Sequence, residues 1–284
     1  MAVVLLTGAS SGLGRSIAHE LHRHGHRVYG TSRYPATDQG TTGMLALDVT
    51  DDDSVARCVR SIVGAEGRLD VLVNNAGYGL TGALEDTTLS EARDQFDTNF
   101  FGALRMNREV LPVMRAQATG RIITVTSMAG RAALPYQPIY SATKFALEGM
   151  NEALRMELAG SGIQACTVLP GDFPTGFTTA RTLARRAQST VHGERLARVL
   201  QVYERDELGG PDPLMVAQLL ARLVEVPRLR VRYIVGRRQQ RLGLAAKNWL
   251  PAMAFERLML AVYASGDTTP ERSDAATGAA PQCP

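Results

Sequence analysis

Apolar residues in this chain fall into short unbroken runs, separated by longer stretches in which they recur every three or four positions. Unbroken runs of about four to eight residues read as strands buried on both faces, and the recurring spacing reads as helices with one buried face. AVVLL (2–6) is the first such run, and in RSIAHELHRHG (15–25) the apolar Ile17, Ala18 and Leu21 sit at helical spacing. HRVYGTSR (26–33), MLALDVTD (44–51) and LDVLVNNAG (69–77) read as further strands, with an amphipathic helix over 51–67. Helices follow over about 90–115 and 137–160, then one over 213–227 and a last strand over 231–236. Strict alternation of strand and helix predicts an α/β fold, a doubly wound parallel sheet in three αβα layers with right-handed crossovers. One domain over 1–264 accommodates it.

Three segments break the rhythm. Residues 176–212 carry helical patterns and the arginines Arg181, Arg185, Arg186 and Arg195, and are expected to form a lid. Its arginines suit either an acidic substrate or a solvated surface, and the solvated surface is the expectation. LGLAAKNWLPAMAFERLMLAVYA (242–264) is apolar, yet Lys247, Pro251, Glu256 and Arg257 interrupt it well before the roughly twenty uninterrupted residues a membrane span needs. It is expected to pack as a helix near a substrate mouth or on a partner subunit. The tail 265–284 has the composition of disorder.

Composition changes little in this picture. The 31 basic and 28 acidic residues are interspersed and the formal charge is +3, so no nucleic-acid footprint is expected. Cys58, Cys166 and Cys283 lack ligand spacing, which predicts a reduced, cytoplasmic protein, and AVVLL is too short for a signal peptide. His19, His22, His24 and His26 crowd the first helix and its exit without an acidic third ligand nearby, so a polar helix surface is expected there and no metal.

Candidate chemistry starts directly after the first strand, where Thr7–Gly14 reads TGASSGLG. Glycines let a backbone turn tightly and approach a pyrophosphate, while the following helix offers unpaired N–H groups and the positive end of its dipole. The spacing Gly8, Gly12, Gly14 departs from G-x-G-x-x-G, but its place between strand and helix fits a dinucleotide loop. About twenty residues on, an acidic residue would hold the ribose 2′-hydroxyl of NAD. Ser32 and Arg33 stand there instead, a hydroxyl and a guanidinium suited to a 2′-phosphate, so NADP(H) is the expected cofactor. Arg15 is either a further contact or an exposed helix arginine. Asp48 meets the adenine edge or caps the next helix.

Tyr140 and Lys144 lie one helical turn apart, so their side chains share a face. A cation beside a phenol favours the phenolate and is expected to bring its pKa down from about 10 toward the working range. Ser127 precedes them across a connection containing Gly130, Pro135 and Pro138 that is long enough to return its hydroxyl to the same place. Serine, tyrosine and lysine then meet around one substrate oxygen.

TGASSGLG, the NNAG of Asn74–Gly77, Asn99 in DTNFFGAL, Ser127, Tyr140-x-x-x-Lys144 and PGDFPT from Pro170 together resemble the short-chain dehydrogenase/reductase family, over about residues 3–240. The resemblance implies a Rossmann-type sheet and reduction of a ketone or aldehyde, with Tyr140 protonating the carbonyl oxygen and Ser127 hydrogen-bonded to that oxygen. It implies that Lys144 binds the nicotinamide ribose and lowers the Tyr140 pKa, and that Asn99 anchors a water linking Lys144 to solvent. Gly8, Ser10, Ser11, Gly12, Leu13 and Gly14 would line phosphates and ribose, Asp48 and Val49 the adenine, and Asn75, Ala76 and Gly77 the far ribose. Asn75 also suits a turn that caps its strand. Pro170, Gly171 and Phe173 would lie near the nicotinamide, with Thr175 on its carboxamide or phosphate. Tyr78, Met128, Tyr136, Phe173 and Phe177 are the candidate substrate walls, which makes the expected pocket apolar and the expected substrate a bulky ketone. The family's dimer face corresponds to the helices near 90–115 and 137–160, so a homodimer, or a tetramer, is implied. Other carbonyl-type steps (imine reduction, epimerisation, elimination) and a non-catalytic NADP(H)-sensing regulator remain open on the same fold.

Overall fold

The structure is a computed structural model and describes residues 1–36, 40–176, 181–187 and 191–264. Phe177, parts of the predicted lid and the predicted tail lie outside the described residues. In chain order the elements are β1 (Val3–Leu6), α1 (Gly12–Arg23), β2 (Arg27–Ser32), β3 (Gly43–Ala46), α2 (Asp52–Glu66), β4 (Val71–Asn74) and β5 (Leu80–Thr81). Next come α3 (Leu89–Phe96), a π-helical turn (Asp97–Phe101), α4 (Gly102–Gln117), β6 (Gly120–Val125) and a 3-10 turn (Met128–Gly130). The chain continues through α5 (Pro138–Glu157), β7 (Ile163–Pro170), β8 (Thr182–Leu183), α6 (Gly193–Leu208), α7 (Leu214–Glu225), β9 (Arg232–Val235), α8 (Arg238–Ala246) and α9 (Ala252–Ala264).

Seven strands form one sheet in the order β3-β2-β1-β4-β6-β7-β9, and every pairing is parallel. Alternation along each strand divides the apolar residues between two cores. Val4 and Leu6 of β1, with Val71 and Val73 of β4, meet α1 and α7 on one face; Val3, Leu5 and Leu72 meet α2, α4 and the end of α5 on the other. This Rossmann-type sheet explains why apolar runs such as Val3–Leu6 and 71–73 do not alternate with polar positions: both faces are covered.

The chain leaves β1 toward β2 on one side, and β4 lies on the other. The C-terminal ends of β1 and β4 therefore border a crevice, the place where doubly wound sheets bind ligands. The apolar run 242–264 is not one helix. It divides into α8 and α9, because Pro251 cannot supply an N–H to continue the first and stands just before the second. Among the described residues no helix is long and apolar enough to cross a membrane.

Candidate active site

The glycine loop after β1 is held from both sides. Gly8 and Gly12 adopt φ +67° and +52°, left-handed values that favour glycine, and a Cβ on Gly14 would stand 2.0 Å from the Gly8 carbonyl oxygen. Across the crevice, Asn75 Nδ2 donates to the carbonyls of Thr7 and Gly8, both at 3.0 Å, and Thr7 Oγ1 accepts from the N–H groups of Asn75 and Ala76, both at 2.9 Å. Asn75 thus stitches the β1 loop to the β4 loop.

A groove of about 1000 Å³ runs along this seam, lined by Gly8, Ser10, Ser11, Gly12, Leu13, Gly14, Ser32, Arg33, Asp48, Val49, Asn75, Ala76, Gly77, Tyr78, Tyr140, Lys144 and Thr175. Nearly every expected cofactor residue lies here. Its shape fits a dinucleotide on two further observations. The first turn of α1 has no acidic residue, and the cap residue Ser11 makes no side-chain bond to the helix N–H groups, so they stay open to an anion. Asp48 does not cap α2. Its carboxylate accepts from the N–H and hydroxyl of Thr50 at 2.9 and 2.7 Å, which holds its pKa low, while Asp51 is the cap.

Pro170, Gly171 and Phe173 lie in an adjoining pocket of about 90 Å³, together with Ser127, Tyr140 and Thr175. Ser127 caps the 3-10 turn, its hydroxyl accepting from the Ala129 N–H at 3.0 Å and hydrogen-bonded to the Tyr140 phenol. Lys144 Nζ stands 5.6 Å from the centre of the Tyr140 ring and donates to the Val125 carbonyl at 3.2 Å. The structure thus brings Ser127, Tyr140 and Lys144 together. Asn99 comes close by a different route. It sits in the π-helical turn, where its amide donates to the Tyr78 carbonyl at 2.9 Å and the Thr143 hydroxyl at 3.2 Å, and accepts from the Tyr78 N–H at 3.0 Å. Its side chain is therefore engaged by Tyr78 and by Thr143, the residue next to Lys144.

A family model described as short chain dehydrogenase matches residues 2–186. This chain belongs to the short-chain dehydrogenase family. A 3-ketodihydrosphingosine reductase of Bacteroides thetaiotaomicron is 41% identical over 263 residues, spanning 92% of this chain and 98% of that protein. Among solved structures, a short-chain dehydrogenase from Streptomyces avermitilis superposes with a TM-score of 0.75 at 30% identity, covering 93% of this chain and 97% of the other. ElxO, solved with NADP bound, superposes with a TM-score of 0.68 at 27% identity, covering 83% and 97%.

Within this site the electrostatics depart from expectation. Burial pushes the Tyr140 phenol up to about 12 despite the Ser127 hydrogen bond, and pushes Lys144 down to about 8. The shift of the phenol runs opposite to the lowering expected from the lysine: loss of water around the phenol is the largest influence on it, and Asp172 and Glu207 act in the same sense.

The substrate side also differs from the apolar pocket predicted. Met128 packs with Ala132, Leu244 and Phe255, and Tyr136 with Leu80, Ala184 and Leu196, so neither lines the pocket beside Ser127. Tyr78 opens on the cofactor groove instead. Gln137, Asp172, Tyr203 and Glu207 form the walls that sequence reasoning missed. Arg181 is not on a solvated lid surface, since its side chain is only 4% exposed and its guanidinium pairs with Glu207; Arg185, Arg186 and Arg195 are exposed as expected. A carboxylate in PGDFPT was visible in the sequence. Nothing in the sequence linked Tyr203 and Glu207 of α6 to it.

Proposed function

We propose that this chain is an NADPH-dependent ketone reductase and that its substrate is a long-chain 2-amino-1-hydroxy-3-ketone, the class to which 3-ketodihydrosphingosine belongs. The convergence of the Ser127 hydroxyl, the Tyr140 phenol and the Lys144 ammonium at the junction of groove and pocket carries the ketone reduction, and the likeness to a 3-ketodihydrosphingosine reductase supports the substrate class. Held in the groove by the glycine loop and Lys144, NADPH would supply hydride to the carbonyl carbon. Tyr140 delivers the proton: with its pKa near 12 it is a neutral phenol throughout the working range, the form a donor needs. Ser127 hydrogen-bonds the same oxygen as negative charge develops there. Lys144 orients the nicotinamide ribose and, with a pKa of about 8, is a protonated neighbour from which the phenol is recharged. The Asn99 amide holds the Tyr78 backbone and the Thr143 hydroxyl beside this pair. Arg33 receives the 2′-phosphate, next to Asp48, on whose carboxylate it acts. The chain works as a cytoplasmic homodimer through α4 and α5.

The test is NADPH consumption, followed by absorbance, with 3-ketodihydrosphingosine. Tyr140→Phe lowers kcat by about 10² to 10⁴ while NADPH still binds, in keeping with the usual contribution of a positioned proton donor. Wild-type protein that binds NADPH and reduces no ketone overturns the reading.

A further inference from the structure

Resting on that reading, we infer that Asp172 is a specificity-determining residue whose carboxylate takes the ammonium carried on the carbon next to the reacting ketone. The chemistry dictates where such a group must stand. With the ketone oxygen held by Ser127 and Tyr140, a neighbouring amine lies only a few bonds away, so its partner must line the same cavity of about 90 Å³. Two carboxylates do so, Asp172 just after β7 and Glu207 on α6.

They are not equivalent. Glu207 already has a cation, since the buried Arg181 guanidinium pairs with it and lies 5.3 Å from the centre of the Tyr203 ring. Asp172 has no ion pair among the described residues. Its Oδ2 accepts from the Gln240 amide of α8, and Oδ1 has no partner among the described residues. Around it stand Glu207 and Asp206 of α6, which repel its charge, Arg237 at the start of α8, which favours it from a distance, and the phenols Tyr140, Tyr203 and Tyr263. Burial and the two acids push the Asp172 carboxyl up to about 6. The pocket thus holds an anion whose compensation is incomplete until a cation enters.

An ammonium on Asp172 does two things. It fixes which face and which end of the substrate approach Tyr140, and it cancels the carboxylate's unfavourable field on the phenol, where Asp172 is one of the charges holding the proton on. A plain ketone of the same length leaves the partly buried carboxylate without a cation, so the group selects against it as well as for the amine.

The experiment compares 3-ketodihydrosphingosine with its deaminated isostere, 1-hydroxyoctadecan-3-one, using the full chain and NADPH at pH 7. Wild type prefers the amino ketone in kcat/KM, and Asp172→Asn lowers that preference ~10- to 100-fold, the usual range for losing a charge-assisted bond. In wild type the KM for the amino ketone rises as pH falls through about 6, where Asp172 takes up its proton; the Asn variant and the deaminated ketone lack that rise. NADPH affinity and melting temperature of Asp172→Asn report its folding. An unchanged preference in a folded Asn variant, or a wild type that reduces both ketones equally well, overturns this assignment and leaves the reductase reading standing. A wild type that reduces neither ketone removes both.

Discussion

At the scale of single residues, burial of charge dominates. Lys144 is 6% exposed and has exchanged its hydration for one carbonyl, that of Val125. Its pKa falls from 10.5 to about 8, so the unfolded chain binds more protons between those values and stability rises with pH across that window. Below about 8 the penalty is present in full, about 3 kcal/mol at 1.36 kcal/mol per pKa unit. Lys144→Met is therefore expected to raise the urea midpoint of the ligand-free protein at pH 7 while abolishing turnover; a lower midpoint would contradict the assignment of strain to this ammonium. In wild type, kcat/KM for reduction falls as pH rises above about 8, where the lysine loses its proton. A profile flat to pH 10 removes Lys144 from proton supply. Arg33 offers a test of the cofactor side. Arg33→Asp places a carboxylate against a 2′-phosphate, and a fall of at least ~10-fold in the NADPH-to-NADH preference is expected from the lost charge-assisted bond. The direction of the Tyr140–Lys144 pairing was legible from their spacing, but the sign of the phenol's shift was not, because spacing says nothing about how much water each group keeps.

At the scale of elements, α5 and the π-helical turn set the site between them. Tyr140, Lys144 and Glu148 recur at one-turn intervals along α5, and Glu148 ties the helix to the sheet through the Thr126 hydroxyl at 2.8 Å and Arg232 at 2.6 Å. The backbone of α5 is also pressed close to the turn bearing Ser127: a Cβ on Gly130 would meet the Lys144 carbonyl oxygen at 2.8 Å. On the other side, the π-helical turn pushes Asn99 toward Tyr78, where Gln95 Nε2 shares the Tyr78 carbonyl at 3.1 Å. Asn99→Ala leaves the Tyr78 N–H without its acceptor, while the carbonyl keeps Gln95. A loss of about 1–3 kcal/mol in unfolding free energy follows from the general cost of an orphaned buried donor. Full stability in that variant would show that another acceptor replaces it. The sequence marked Asn99 as a candidate by its surroundings, DTNFFGAL; its partners, Tyr78 and Thr143, come from two distant stretches and could not be read from one.

At the scale of the whole molecule, the two halves of the site have different origins. The groove is built mostly from residues before β5, on loops at the ends of β1, β2, β3 and β4, whose positions follow from the order of strands in the sheet. The pocket takes its walls from β7, α5 and α6, and α8 and α9 close around Asp172 and Tyr203. Self-association belongs to this scale too. Phe101 at the end of the π-helical turn, just before α4, and Phe145 and Met156 on α5 are exposed at 44%, 40% and 73%, on the side expected to meet a second copy. Light scattering should give twice the chain mass of 30.6 kDa, and Phe101→Glu should shift the protein toward monomer. A monomer at micromolar concentration in wild type rules out that face.

The amino-acid sequence determined the alternating strands and helices, the glycine loop and the residues that meet at the junction, since each depends on local spacing or on short-range backbone freedom. Only the tertiary structure decided the protonation preferences of Tyr140 and Lys144, the hidden partner of Arg181, and the placing of Asp172 beside Ser127 and Tyr140. Those depend on how much water is excluded and on which distant segments fold over the same cavity, and neither quantity is written into any single stretch of chain.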